Sequence, residues 1–113
     1  MTNTPHTEPP SLGELEEMVL LAVAALGENA YGLQVQEMLE QEGGRSPQLA
    51  TIHSTLYRLE GKGLLRSRMG GATSERGGRS KRLFQVTSLG MDAVRAKREA
   101  REGLYRLIPG LQG

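Results

Sequence analysis

Basic side chains are concentrated in one segment of this sequence, where they could bind phosphate. From residue 1 to residue 42 all the formally charged side chains are glutamates. The segment 58–82, in contrast, is rich in arginine and lysine: Arg58, Lys62, Arg66, Arg68, Arg76, Arg79, Lys81 and Arg82. Guanidinium and ammonium groups bind phosphate oxygens, so this separation of charge predicts a surface that faces a polyanion. The alternative is a solvated basic loop, and charge alone does not decide between the two.

Residue sets that support catalysis or metal binding are sparse. The sequence has no cysteine, which excludes disulfides, thiolate metal sites and thiol nucleophiles. Its two histidines, His6 and His53, stand far apart, and a metal site needs more ligands at set spacing. The glycine-rich stretch 70–78 lacks the GK[ST] sequence and the following helix of a phosphate-binding loop. We therefore predict a protein that is not an enzyme and that holds no metal or cofactor.

The remaining bulk features favour a small protein of the cytoplasm. The length of 113 residues fits one domain. The apolar run 18–27 is too short to span a bilayer, so no membrane contact is expected. The N-terminus carries acid and proline where a signal peptide carries positive charge.

Start and stop signals predict an N-terminal arm followed by a first helix. Residues 1–10 have no periodicity and three prolines, which predicts disorder. Ser11 and Glu14 have the spacing of a capping box, so a helix is expected over about 12–26 with its glutamates on the surface. The second half of this helix is apolar nearly all round, which predicts that it packs against another surface as well as against the core of its own domain.

Two further helices are predicted before the basic segment. The second spans about 31–41 and ends at the glycines that follow. The third spans about 47–62, with Ser46 as its N-cap and Pro47 at the first helical position.

A hairpin and a long last helix complete the predicted fold. Two short strands, 64–69 and 81–87, flank a Gly- and Ser-rich tip. Thr87 or Ser88 then caps a helix that ends before Pro109. The predicted class is mainly α with a small β-hairpin: a winged helix-turn-helix domain over 11–87, and a C-terminal dimerisation helix and tail over 88–113.

In a helix-turn-helix, the second helix of the pair, called the recognition helix, lies in the major groove of DNA. Here the recognition helix is the predicted third helix, over about 47–62. Glutamine can bond adenine, and a threonine methyl can contact the thymine methyl. The predicted contacts from this helix are Gln48, Thr51, His53, Ser54, Thr55 and Arg58. Those from the hairpin, or wing, are Arg66, Arg68, Arg76, Arg79, Lys81 and Arg82. For each residue of the helix, a merely solvated polar face is the alternative.

Apolar positions on the first and last helices predict a homodimer. The predicted interface residues are Leu15, Val19, Val23, Ala93, Ala96, Ala100, Leu104 and Leu107. A two-fold dimer also matches a palindromic site in double-stranded DNA. The alternative is that the two helices cover each other within one chain.

Three motifs resemble the PadR family of bacterial transcriptional regulators. They are AYG at 30–32, LYRLEGKGL at 56–64, and RGGRSKR followed by T-x-x-G at 76–90, within a resemblance that covers about 12–94. The recognition helix departs from the family pattern, with His53-Ser54 where Tyr-Pro is usual.

The resemblance implies a winged helix-turn-helix that dimerises through its C-terminal helix. It also implies repression through a palindromic operator and, as in some members, release by a small aromatic effector. A winged-helix protein-interaction module without DNA binding is the alternative, and the density of arginine and lysine on the wing favours DNA.

Overall fold

The computed structural model describes residues 12–70 and 81–111. A 3₁₀ turn, Gly27–Asn29, lies between the first two helices. The helices and strands are α1 Glu14–Leu26, α2 Gly32–Glu42, α3 Leu49–Gly61, β1 Leu65–Met69, β2 Arg82–Val86 and α4 Ser88–Arg106. The predicted class, mainly helical with one antiparallel hairpin, is confirmed. Within the same residues, no helix is long and apolar enough to cross a membrane.

The first helix begins later than predicted, with a different cap. Gly13 is the N-cap of α1, and its N–H donates to Oε1 of Glu16 at 2.9 Å. The carboxylate that reaches back is therefore that of Glu16, and the capping role predicted for Glu14 is wrong. Ser11 lies outside the described residues.

The third helix also begins later than predicted. Gln48, with extended backbone, is the N-cap of α3, so the predicted cap at Ser46 is wrong. Pro47 lies before the helix, and its carbonyl accepts a hydrogen bond of 3.0 Å from Nε2 of Gln36 in α2. This bond from α2 to the connecting segment positions the start of α3.

One hydrophobic core joins the three helices to the hairpin. Its largest members are Val19, Leu20, Val23, Val35, Leu39, Ile52, Leu56, Leu59, Leu64, Leu65 and Phe84. Ala93 and Val94 attach the first half of α4 to it. Because Val19, Val23 and Ala93 are buried within their own domain, the prediction that they form a dimer interface is wrong.

The hairpin is tied to the segment before α2. In its antiparallel register Ser67 lies opposite Phe84, and Met69 lies opposite Arg82. Ala30 extends this pairing, because its N–H and C=O both bond the backbone of Phe84, at 3.3 and 2.7 Å. The wing is thus held beside the start of α2 as well as against α3.

Thr87 forms the junction between the hairpin and α4. Its hydroxyl accepts from the N–H of Gly90 at 3.0 Å and donates to the carbonyl of Gly63 at 2.7 Å. A Cβ on Gly90 would lie 2.3 Å from the carbonyl oxygen of Leu64, so only glycine fits there. The T-x-x-G motif therefore has a packing function, which fixes where α4 begins.

Candidate nucleic-acid interface

The helix α3 and its N-cap present a polar face to solvent. The exposed members of the predicted set are Gln48, Thr51, His53, Ser54 and Arg58. Thr55 is 1% exposed, and its hydroxyl donates to the carbonyl of Thr51 at 2.8 Å. The prediction that Thr55 contacts DNA is therefore wrong, because a threonine that satisfies its own hydroxyl on the preceding turn can face the core.

Tyr57 is also exposed on α3 and was not among the predicted contacts. Its side chain is 52% exposed, and its ring packs edge-on against Phe84 with centroids 5.9 Å apart. The guanidinium of Arg82 lies 5.9 Å from the Tyr57 ring centroid. The sequence could have indicated Tyr57, because it lies four residues after His53 and three after Ser54, and residues at these spacings share a helix face.

A groove of about 520 Å³ runs between the start of α2, α3 and the hairpin. Its walls include His53, Tyr57, Tyr31 and Lys81. The Nζ of Lys81 lies 3.9 Å from the Tyr31 ring centroid, which places a cation at the rim. The groove thus combines aromatic surface, a histidine and positive charge beside the exposed helix.

The His53 imidazole lies against the glycine of the AYG motif. A Cβ on Gly32 would lie 2.3 Å from Nε2 of His53. The imidazole therefore lies directly against the first residue of α2, which is possible because that residue has no side chain.

The hairpin divides its basic residues between two faces. Arg66 and Arg68 share one face, as predicted, and both are exposed. Arg68 donates to Oδ1 of Asn29 at 2.6 Å and to the carbonyl of Glu28 at 3.2 Å, so it is tied to the 3₁₀ turn. The Nε of Arg66 bonds the side chain of the residue opposite on β2, Gln85, at 3.1 Å.

Arg82 lies on the other face, towards α3. Its Nη1 donates to the hydroxyl of Ser67 at 2.9 Å, and that hydroxyl donates to Oε2 of Glu60 at 2.6 Å. The described structure therefore brings Lys81 and Arg82 beside α3 and places Arg66 and Arg68 on the opposite face. The predicted contacts Arg76 and Arg79 lie outside the described residues.

The C-terminal end of α3 is bound to α1 by a charged cluster. Nζ of Lys62 lies 2.9 Å from both carboxylate oxygens of Glu16, and Nη1 of Arg58 lies 3.7 Å from one of them. The Glu16 side chain is 9% exposed, so the prediction of a surface glutamate is wrong for Glu16, whereas Glu14 in the same turn is exposed as predicted. The Arg58 side chain is 54% exposed.

Burial raises the pKa of Glu16, but the Gly13 N–H and the Lys62 and Arg58 charges outweigh it, and the net pKa lies below 4.5. A lowered native pKa contributes stability above the unfolded value, which is lost as pH falls through the native value. We expect the free energy of unfolding to fall as pH drops below about 4.5. In Glu16→Gln this acid dependence should be weaker, and stability at neutral pH lower by about 1–2 kcal/mol.

Urea unfolding between pH 3 and pH 7 measures both effects. The control is Glu14→Gln, which changes an exposed glutamate of the same helix turn. If both variants lose the same share of the acid dependence, the assignment to the Glu16 cluster is incorrect.

Comparison with known proteins identifies the class. The model of the transcriptional regulator PadR-like family matches residues 20–96. The chain therefore belongs to the PadR-like family of transcriptional regulators, as the three sequence motifs predicted. Among curated proteins, no match to the sequence is found.

Solved structures show the same fold. A PadR family transcription regulator from hypervirulent Clostridium difficile is 19% identical, with a TM-score of 0.70 over 89% of this chain and 100% of that one. A PadR family regulator from Eggerthella lenta is 26% identical, with a TM-score of 0.64 over 80% and 79% of the two chains. A PadR-like regulator from Bacillus cereus is 20% identical, with a TM-score of 0.66 over 88% and 92%.

Proposed function

We propose that this protein binds a palindromic DNA operator in the cytoplasm as a homodimer and represses transcription from it. The observation that carries the proposal is the exposed polar start of α3, with Lys81 and Arg82 on the adjacent hairpin. A helix of this kind reads base edges in the major groove, while cations beside it bind the phosphates that flank them. Membership of a family of transcriptional regulators supports the same function.

The second copy is proposed to pack on the end of α4. Leu104 and Leu107 are 65% and 76% exposed, and Ile108 and Leu111 are exposed after them. Ala96 and Ala100 are also exposed on this helix, and small side chains allow two helices to approach closely. Such a contiguous apolar stripe marks an interaction surface, and a two-fold dimer would bring two copies of α3 to two half-sites. Leu15, half-buried on α1, stays a predicted contact.

Release by a small aromatic effector completes the proposal. It rests on the family resemblance, since some members respond to such ligands. Isothermal titration of aromatic acids and planar cations into the free dimer, followed by the same titration into its DNA complex, tests it. An effector must bind the free dimer more tightly than the complex, because only differential affinity shifts the equilibrium.

Removing the wing cations should weaken binding to every duplex sequence. In Lys81→Ala/Arg82→Ala the plot of log K against log salt should become shallower by about 0.9 for each phosphate that the protein no longer neutralises, so by roughly two in total. Fluorescence anisotropy with a mixed-sequence duplex at several salt concentrations measures the slope.

The matched control is Arg95→Ala/Arg98→Ala, which removes two charges from exposed positions on α4. Its slope should stay close to that of the parent. Equal slopes in all three proteins would contradict the phosphate-contact assignment. A parent chain that binds no duplex at low salt would favour the protein-interaction module instead.

A further inference from the structure

Two neighbouring glutamates at the start of α1 are both buried and both ion-paired. The side chains of Glu16 and Glu17 are 9% and 5% exposed. Neighbouring residues on an α-helix point about 100° apart, so the two carboxylates meet different elements. Burying two carboxylates costs free energy unless each is well paired, which makes the choice of partners informative.

Glu16 connects α1 to the recognition helix. Its carboxylate accepts from Lys62 at 2.9 Å and lies near Arg58, both at the C-terminal end of α3. Glu17 connects the same turn of α1 to the last helix. Its two oxygens lie 2.8 and 3.4 Å from Nη2 and Nη1 of Arg101 in α4.

The contact with Arg101 is directional. A guanidinium that faces a carboxylate with two N–H groups fixes both distance and orientation. One turn earlier on α4, Nζ of Lys97 donates to the carbonyl of Leu12 at 2.7 Å. Beyond Arg101 the apolar side chains of α4 are exposed, from Leu104 onwards. The Glu17–Arg101 pair thus lies where α4 passes from its own domain to the surface proposed for the second copy.

We infer that the Glu17–Arg101 ion pair fixes the angle between α4 and the recognition helix, and thereby selects the spacing between the two operator half-sites. This inference rests on the proposed dimeric DNA binding. The half-site spacing depends strongly on this angle, because a rotation of about 10° moves a point roughly 20 Å away by about 3.5 Å. That displacement is close to the 3.4 Å spacing of successive base pairs. Glu17 and Arg101 are positioning residues and touch no base.

Competitive binding to operators of altered spacing tests the inference. The parent protein should prefer its selected spacing over one changed by a single base pair by about tenfold or more. In Glu17→Gln this preference should fall to about threefold or less, with affinity for a single half-site unchanged. The control Glu102→Gln makes the same chemical change beside Arg101 but breaks an exposed pair within α4, with Arg98, and should keep the parent preference.

A distance measurement distinguishes a change in the angle of α4 from a loss of protein stability in Glu17→Gln. Because the chain has no cysteine, a nitroxide spin label attached to Gln41→Cys, at an exposed position on α2, is the single label on each protomer. Pulsed electron–electron double resonance should give a narrow distribution of the distance between the two labels in the parent background. With Glu17→Gln this distribution should be broader or shifted.

An unchanged spacing preference together with an unchanged distance distribution would overturn the inference and leave the proposed function intact. So would a parent protein that binds its operator tightly yet tolerates every spacing. A parent protein that selects no DNA sequence would instead overturn the proposed function, and the inference with it.

Discussion

Leu104→Glu is expected to abolish dimerisation and, with it, tight operator binding. In the proposed dimer this side chain faces an apolar partner surface, and an unpaired carboxylate buried there costs several kcal/mol. In the single chain Leu104 is 65% exposed, so the folded protomer should tolerate the change. Operator affinity should fall by about a thousandfold towards the non-specific level, because each monomer can bind only one half-site.

Sedimentation equilibrium at micromolar concentration and a binding titration on the same samples measure this prediction. Gln41→Glu adds the same charge at an exposed position on α2 and should leave both assembly and affinity close to parent values. A Leu104→Glu protein that stays dimeric would contradict the proposed interface. A parent protein that is already monomeric would contradict the proposed dimer itself.

Gln48→Ala/Thr51→Ala should impair operator binding far more than binding to random DNA. Both side chains are exposed at the start of α3, where a helix lying in the major groove contacts base edges. Removing each base contact costs about 1–3 kcal/mol on the operator, so the double variant should bind it about 30-fold or more weakly. Its affinity for a mixed-sequence duplex should change by less than about threefold, because phosphate contacts supply that affinity.

Anisotropy titrations with both duplexes measure the ratio. Gln41→Ala removes an exposed polar side chain from α2 and serves as the control. An equal loss of affinity for the operator and for random DNA would assign Gln48 and Thr51 to phosphate positioning instead of base reading.

Periodicity along the chain was sufficient to predict the order and type of the elements. Apolar spacing identified α3 and its buried residues Ile52, Leu56 and Leu59, and it identified the two strands that contain Leu65 and Phe84. Helix starts were less predictable, since several residues compete to be the cap. Ser46 has the favoured side chain for α3, yet the chain enters that helix at Gln48.

Contacts between distant parts of the chain could not be predicted. Glu16 pairs with Lys62, 46 positions away, and Glu17 pairs with Arg101, 84 positions away. Local spacing describes each glutamate as an acidic residue in the first turn of a helix, which is typically exposed. The burial of both carboxylates depends on how α3 and α4 pack against α1, and no local pattern contains that information.

The division of the wing also depended on tertiary structure. Alternation along β1 predicted that Arg66 and Arg68 share a face. It did not predict that Arg68 would bond Asn29 or that Arg82 would lie beside Tyr57, because both contacts require the hairpin to be placed against other elements. Of the basic side chains on the described hairpin, Lys81 and Arg82 therefore lie beside α3, and Arg66 and Arg68 lie on the opposite face.

Selection of duplexes from a random pool by the intact protein is the most direct test of the central claim. Sequence-specific binding by a two-fold dimer predicts enrichment of one palindrome, with half-sites one helical turn or a multiple of it apart. The selected duplex should bind at least about a thousandfold more tightly than random DNA at physiological salt. A pool that shows no enriched sequence after repeated rounds, with binding governed only by salt, would contradict the account.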